Sequence, residues 1–422
     1  MAMRTSPKAS IGVATRPHKA QILRLGRAVF SAAIGVVLVL SLAPARARAV
    51  SLPSDTIDGV PVSTLGAARN AAPDVALKAG VLVDADGRVL WARQEDARRA
   101  MASITKIMTA VVALESGSLD EMVLVPAAAT RVGESTSFLK TGDELSMQHM
   151  LEALLVKSGN DAAVAIAMHV SGSDEAFVSA MNAKATELGL ADTNFANPHG
   201  LDGPDHRTSA RDLAVLARYA MSKPAFRTIV GMKQVTLGSG DRQETFANTD
   251  VLIDNYQGIT GIKTGYTSRA GYCVVNSAKR NDIELFAVVL GTATEAARFG
   301  ASRELLDWGF AHYRPQSLVT SGTVLAESPV RDYLDVVVPA AVSRDATVSV
   351  LDLNGPITRR VTVSSVSAPV KIGQRVGVAA FTQQGRLIAS IPLIATVDIA
   401  APNPLLRVWI AVVRAWRAVF GE

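Results

Sequence analysis

The sequence predicts an α/β (α+β) protein: a mixed sheet flanked by helices with a helical subdomain inserted, then a small all-β domain, then a C-terminal amphipathic helix. Three observations carry this. Strand patterns near residues 79–92 return only at 245–291, and the interval between them has helical period. From about residue 315 the chain turns to short Val-rich runs broken by Pro, Gly and Asn-Gly turns. From Asn403 onward, apolar residues fall on one face of a helical wheel and arginines on the other.

Residues 1–49 read as an export signal. They hold eight Lys and Arg and no acid, and a basic stretch ends at Arg27. An apolar run from Val29 to Ala43 follows, and Ala47-Arg48-Ala49 supplies small residues at a cleavage site. Fifteen helical residues span about 22 Å, short of a hydrocarbon core of about 30 Å. The expectation is cleavage after Ala49 and export to the periplasm, or outer face of the cytoplasmic membrane. The net charge of +5 belongs to this segment, because 35 basic residues face 38 acidic ones from position 50 on. A nucleic-acid partner therefore has no support from charge.

Residues 50–77, with Pro53, Gly59, Pro61 and Pro73, read as a linker or wrapping arm. Ala79–Val83 and Arg88–Ala92 flank Asp86-Gly87, a hairpin signal. Helices are expected from Ser103 to Glu115, Ser146 to Lys157, Asp161 past Met168, Asp174 to Leu188, and over 209–221. Strands are expected at 245–252, 259–266, 271–278 and 284–291, with a closing helix at 294–309. The catalytic domain is placed at 78–314 and the β-rich domain at 315–400, with strands at Leu334–Val338, Thr347–Leu351, Arg360–Val363, Val376–Ala380 and Leu387–Ile391. Residues 401–422 are expected to lie on a membrane surface, with Trp409, Trp416 and Phe420 facing lipid and Arg407, Arg414 and Arg417 adding attraction to anionic headgroups. The one cysteine, Cys273, sits among apolar neighbours and reads as a buried, inert thiol.

Three short segments can build one catalytic centre. Ser103 and Lys106 are three apart at a helix start, so a hydroxyl and an amine are neighbours. The positive end of the helix dipole and the apolar Ile104, Ile107 and Met108 push the lysine towards a neutral, proton-accepting amine. Ser158-Gly159-Asn160 lies between two helices and supplies a second hydroxyl and an amide; read alone it is a helix C-cap and N-cap. Lys263-Thr264-Gly265 lies on a strand pattern, where Gly265 lets another backbone approach and Lys263 adds positive potential.

With these motifs in this order, the chain resembles the D-alanyl-D-alanine carboxypeptidases, the low-molecular-mass penicillin-binding proteins. Met101-Ala102-Ser103-Ile104-Thr105-Lys106, Asn197-Pro198-His199-Gly200-Leu201-Asp202 and Gly261-Ile262-Lys263-Thr264-Gly265-Tyr266-Thr267 look like family segments. So do Leu305-Leu306-Asp307-Trp308-Gly309 and Ala368-Pro369-Val370-Lys371-Ile372-Gly373. The resemblance spans about residues 75–400. It implies a β-lactamase-like catalytic domain with an antiparallel sheet, no cofactor and no metal. It implies an acyl-enzyme on Ser103, with Lys106 as general base and Ser158 and Asn160 relaying protons. It further implies an oxyanion hole from the N–H groups of Ser103 and Tyr266, and substrate binding by Lys263, Thr264, Gly265, Tyr266 and Arg298. The implied substrate is the peptidoglycan stem peptide, with β-lactams as inhibitors. Two departures stand out: Arg99-Ala100-Met101 lacks the Pro often found before the nucleophile, and Arg269 follows the Lys-Thr-Gly strand.

Alternatives on the same scaffold are a β-lactamase or a D,D-endopeptidase. The first needs a deacylating carboxylate, but residues 190–205 contain Asn-Pro-His-Gly-Leu-Asp without a Glu-x-x-Leu-Asn pattern. A metallopeptidase would draw on His199, Asp205 and His206, yet no His-Glu-x-x-His occurs.

Overall fold

The computed structural model describes residues 52, 54–64, 72–239 and 242–421. The export-signal expectation for residues 1–49 lies outside the described residues.

A seven-stranded sheet organises the first domain, in the order Val60–Pro61, Thr56–Ile57, Val89–Arg93, Ala79–Asp84, Ile283–Thr292, Gly271–Arg280, Ile259–Thr267. Every neighbouring pair is antiparallel. Side chains alternate across it as a period of two demands. Val81, Val83, Val275, Val288 and Leu290 pack on one face against Ile104, Met108 and Val111. Leu82, Val274, Leu285, Ala287 and Val289 pack on the other against Leu305, Leu306 and Trp308 of the helix Glu295–His312. Both faces are covered, so the strands read as nearly continuous apolar runs.

The arm before the domain wraps the sheet rather than linking to it. Ile57 and Val62 are buried, and Asp55 takes two hydrogen bonds from the buried Arg93 at 2.8 and 2.7 Å. The helix Lys106–Ser116 is buried along most of its length, from Lys106 to Ala113. It lies between the sheet and the helical subdomain, which includes Asn160–Ser171, Asp174–Glu187 and Ala210–Met221.

Several expected boundaries moved, among them that of the strand expected at Leu334–Val338, which runs over Val337–Val342. The helix beginning at Met147 changes at Ala153 to a wider π turn, which ends at Ser158 in the left-handed conformation, φ 69°. The strand expected at 245–252 is instead the second half of a hairpin, Gln234–Ser239 with Arg242–Ala247. It stops because Asn248 and Asp250 accept from the N–H groups of Asp250 and Leu252, at 2.8 and 3.0 Å.

The second domain is all β. A five-stranded antiparallel sheet (Val324–Pro329, Val337–Val342, Arg386–Ala395, Arg375–Gln383, Ile357–Val363) encloses Val338, Phe381, Ile391 and Leu393. The pair Tyr313–Val319 and Ala346–Leu351 completes it. Tyr313 ties the domains together by donating its hydroxyl to Asp84 at 2.5 Å.

The terminal helix Pro404–Phe420 differs from expectation in one respect. Its arginines are engaged with the protein: Arg414 donates to the carbonyls of Arg331 and Tyr333, Arg407 to that of Pro402, and Arg417 lies 3.8 Å from Asp335. Ile410 is buried, while Leu405, Trp409, Val412, Trp416 and Phe420 are exposed. Among the described residues, no helix is long and apolar enough to cross a membrane.

Candidate active site

Ser103 sits in a single 3₁₀ turn, Ala102–Thr105, which feeds directly into the helix at Lys106. The turn requires a positive φ of 49° at Ala102, a conformation that L-residues adopt at a cost. The surroundings hold it there. Gly200, at φ 98°, lies so close that a Cβ would stand 2.1 Å from the Ala102 carbonyl oxygen and 2.9 Å from the Ser103 nitrogen. From the other side, a Cβ on Gly265 would stand 3.0 Å from the same nitrogen. The strand therefore runs directly against the Ser103 turn, and only glycine allows that approach.

Lys106 is fully buried. Its Nζ lies 2.8 Å from Ser103 Oγ, 2.7 Å from Asn160 Oδ1 and 2.8 Å from the carbonyl oxygen of His199. The Asn160 amide is oriented by its NH₂ group, which donates to Gly133 at 2.9 Å. The Asn160 oxygen and the His199 carbonyl can only accept, so two amine hydrogens go to them. The third tetrahedral direction faces the Ser103 hydroxyl. Burial, and then the positive charge of Lys263, lowers the Lys106 pKa well below its ordinary value. A neutral amine with two donors committed directs its lone pair at the serine hydroxyl.

Asn160 is held by the segment 133–139. Its backbone N–H donates to Ser135 O at 2.7 Å. The buried Asp161 carboxylate fixes that segment by accepting from the N–H groups of Ser137 and Leu139. Ser158 is buried and is the left-handed residue that ends the π turn, two positions before Asn160.

Lys263 is also buried, and its Nζ donates to the carbonyl of Thr264 at 3.1 Å. Its pKa is lowered to about 7 by burial and then by Arg298, with Asp250 opposing. Thr264 donates its hydroxyl to Thr249 at 2.8 Å. Tyr266 is 51 % exposed, with its ring centroid 4.3 Å from that of Tyr272. Arg298 is buried behind the strand, donating to the Gly265 carbonyl at 3.3 Å and to Glu295 at 2.6 Å.

Ser103, Lys106 and Asn160 thus share direct hydrogen bonds, and Gly265 connects this cluster to Arg298. Sequence reasoning did not find Asp161, Gly200 or the carbonyl of His199 as parts of the site. A backbone carbonyl leaves no side-chain signature, and the contact of Gly200 with Ala102 is non-local. His206 bonds Thr105 and Ala196 through its two ring nitrogens, and His199 Nδ1 accepts from Leu201. Cys273 is buried and its thiol is pushed up to about 11 by desolvation, consistent with an inert core residue.

The chain is similar to known proteins along most of its length. The family model described as D-alanyl-D-alanine carboxypeptidase matches residues 67–294, and that of the penicillin-binding protein 5 C-terminal domain matches 313–401. The carboxypeptidase DacF of Bacillus subtilis is 34 % identical over 331 residues, covering 76 % of this chain and 85 % of that protein. DacC of Escherichia coli is 33 % identical over 375 residues, covering 83 % and 91 %. Penicillin-binding protein 5 from Haemophilus influenzae superposes with a TM-score of 0.61 at 30 % identity, covering 78 % of this chain and 99 % of that one. On the catalytic-domain match and on the extent of these similarities, the chain belongs to the D-alanyl-D-alanine carboxypeptidase family.

Proposed function

We propose that this protein is a serine-type D-Ala-D-Ala carboxypeptidase that removes the terminal D-alanine from peptidoglycan stem pentapeptides and is acylated by β-lactams. One observation carries the mechanism: the buried Lys106 amine, with two hydrogens committed elsewhere, lies 2.8 Å from Ser103 Oγ. In acylation the Ser103 proton passes to Lys106 Nζ as Oγ attacks the carbonyl between the two D-alanines. The oxyanion is stabilised by the N–H groups of Ser103 and Tyr266, worth roughly 2.7–4 kcal/mol per donor. Ser158 relays that proton from Lys106 Nζ to the departing D-alanine amine, which leaves Lys106 neutral again, and Asn160 holds Lys106 in place. Lys263 and Thr264 bind the terminal carboxylate, and Arg298 adds positive charge from behind the strand. Water then attacks the ester; Lys106 takes its proton and returns it to Ser103 Oγ as the acyl–oxygen bond breaks, which frees Ser103.

Ser103→Ala should abolish both D-alanine release from a pentapeptide and covalent penicillin labelling. Mass spectrometry of the intact protein and of its peptides checks this, and persistence of either activity in the variant refutes the mechanism.

The protein acts in the cell envelope on this reading. The basic, apolar and small-residue sequence of residues 1–49 supports export, and the exposed Trp and Phe face of Pro404–Phe420 supports a peripheral membrane contact. The arginines bond to protein groups yet stay exposed, so apolar insertion supplies that contact beside their charge. Replacing Trp409 and Trp416 with Ala removes roughly 3 kcal/mol of apolar transfer. Binding to phosphatidylglycerol-containing vesicles should fall about 10²-fold in a flotation assay. Hydrolysis of a soluble peptide should stay unchanged.

A further inference from the structure

His206 has no place in the chemistry just described, yet it is buried one residue's reach from the nucleophile turn. Its Nδ1 accepts from the Ala196 backbone N–H at 2.9 Å. Its Nε2 lies 2.8 Å from the hydroxyl of Thr105, inside the Ser-x-x-Lys segment. That hydroxyl in turn donates to the carbonyl of Ala102 at 2.8 Å. The directions follow from the donor inventory. Nδ1 is committed as an acceptor, so in a neutral ring Nε2 carries the hydrogen and donates to Thr105, whose own hydrogen is left for Ala102. Burial keeps the ring neutral, with its pKa lowered to about 4. The edge of Phe195, 6.2 Å away between centroids, fixes the ring plane.

The carbonyl at the end of this relay belongs to the residue at positive φ. Ala102 immediately precedes Ser103, so the direction of its peptide plane sets where the Ser103 N–H points. The same turn sets where Ser103 Oγ stands relative to Lys106. Gly200 presses on this carbonyl from the segment that also carries His199 and His206. We infer that His206 is a positioning residue for acylation: through Thr105 it anchors the Ala102 carbonyl and so aims the Ser103 hydroxyl and N–H at the scissile carbonyl.

This rests on Ser103 being the acylated nucleophile. Its test therefore begins by mapping the penicillin adduct in the unmodified full chain; an adduct elsewhere removes both readings. With the adduct on Ser103, the acylation rate and the preceding binding constant are measured separately, by rapid mixing, for His206→Leu, His206→Gln, Thr105→Val and the double variant His206→Leu/Thr105→Val. The expected result is an acylation rate lowered about tenfold in His206→Leu and Thr105→Val, since misaimed reacting groups lose rate steeply. Binding constants should stay within about twofold of the unmodified protein on the same ground. The double variant should be no slower than the slower single variant, because one relay is broken once. His206→Gln, whose amide can still donate to Thr105, should recover most of the rate. Additive losses, losses confined to binding, or a wild-type rate in His206→Leu overturn the inference. If the leucine variant does not fold, Thr105→Val and His206→Gln still decide it: a wild-type acylation rate in the former, or an unrescued rate in a well-folded form of the latter, sinks the relay.

Discussion

Lys106→Arg is expected to lower the rate of Ser103 acylation by roughly 10²–10⁴-fold, the span of a general-base contribution. The substitution keeps a long hydrogen-bond-donating side chain at the position but removes the one property the site creates. A guanidinium does not deprotonate in proteins, so it can donate to Asn160 and His199 but never accept from Ser103. The unmodified protein should show the corresponding pH dependence. Burial and Lys263 hold the Lys106 pKa well below its ordinary value, so acylation rises with pH as this amine loses its proton and then levels. Action on a peptide with a free carboxylate should fall again as Lys263, at about 7, becomes neutral and stops attracting that carboxylate. Rates of penicillin adduct formation and of D-alanine release across pH check both limbs. A Lys106→Arg variant that keeps the rising limb and the parent rate would show that another group takes the proton.

Gly200→Ala should be the single-methyl change that most directly displaces the nucleophile turn. The new Cβ would stand 2.1 Å from the Ala102 carbonyl oxygen and 2.9 Å from the Ser103 nitrogen, and φ at this position is 98°. Backbone must move on one side or the other, because no flexible side chain is there to yield. Strain and overpacking together should destabilise the fold by about 2–4 kcal/mol. A displaced nucleophile turn should lose roughly 10²-fold in acylation. Gly172→Ala is the control: φ there is 78° but nothing lies within 4 Å of a Cβ. It should cost about 1 kcal/mol in thermal unfolding and leave acylation unchanged. Equal acylation in the two variants would mean that Gly200 does not hold the serine turn.

The architecture was legible where local pattern and tertiary demand coincide. The helices at 106–116, 160–171 and 174–187 bury apolar residues at helical spacing, and the strands at 79–84 and 283–292 are largely apolar runs buried on both faces. It was illegible where long-range pairing overrides local signal. Tyr313–Val319 and Val324–Pro329 contain prolines and few strong strand formers, yet both are strands because partners in the β domain supply their hydrogen bonds. The helical wheel sorted Arg407, Arg414 and Arg417 to one face correctly, but their carbonyl and carboxylate partners at residues 331, 333, 335 and 402 include atoms far away in sequence.

By itself the sequence determined the chemistry available. A hydroxyl three residues before a lysine, a Ser-Gly-Asn turn and a Lys-Thr-Gly strand name the reacting groups, because spacing along one helix or strand is a local property. Only the tertiary structure decided which of those groups is placed to act as a base in the proposed mechanism. The Lys106 amine is poised because two acceptors, Asn160 and the His199 carbonyl, arrive from 54 and 93 residues away and commit its hydrogens. The Ser103 turn is tenable because Gly200 and Gly265 close on it from two other segments. Proton affinity and backbone strain depend on what surrounds a group in space, and that is set by folding.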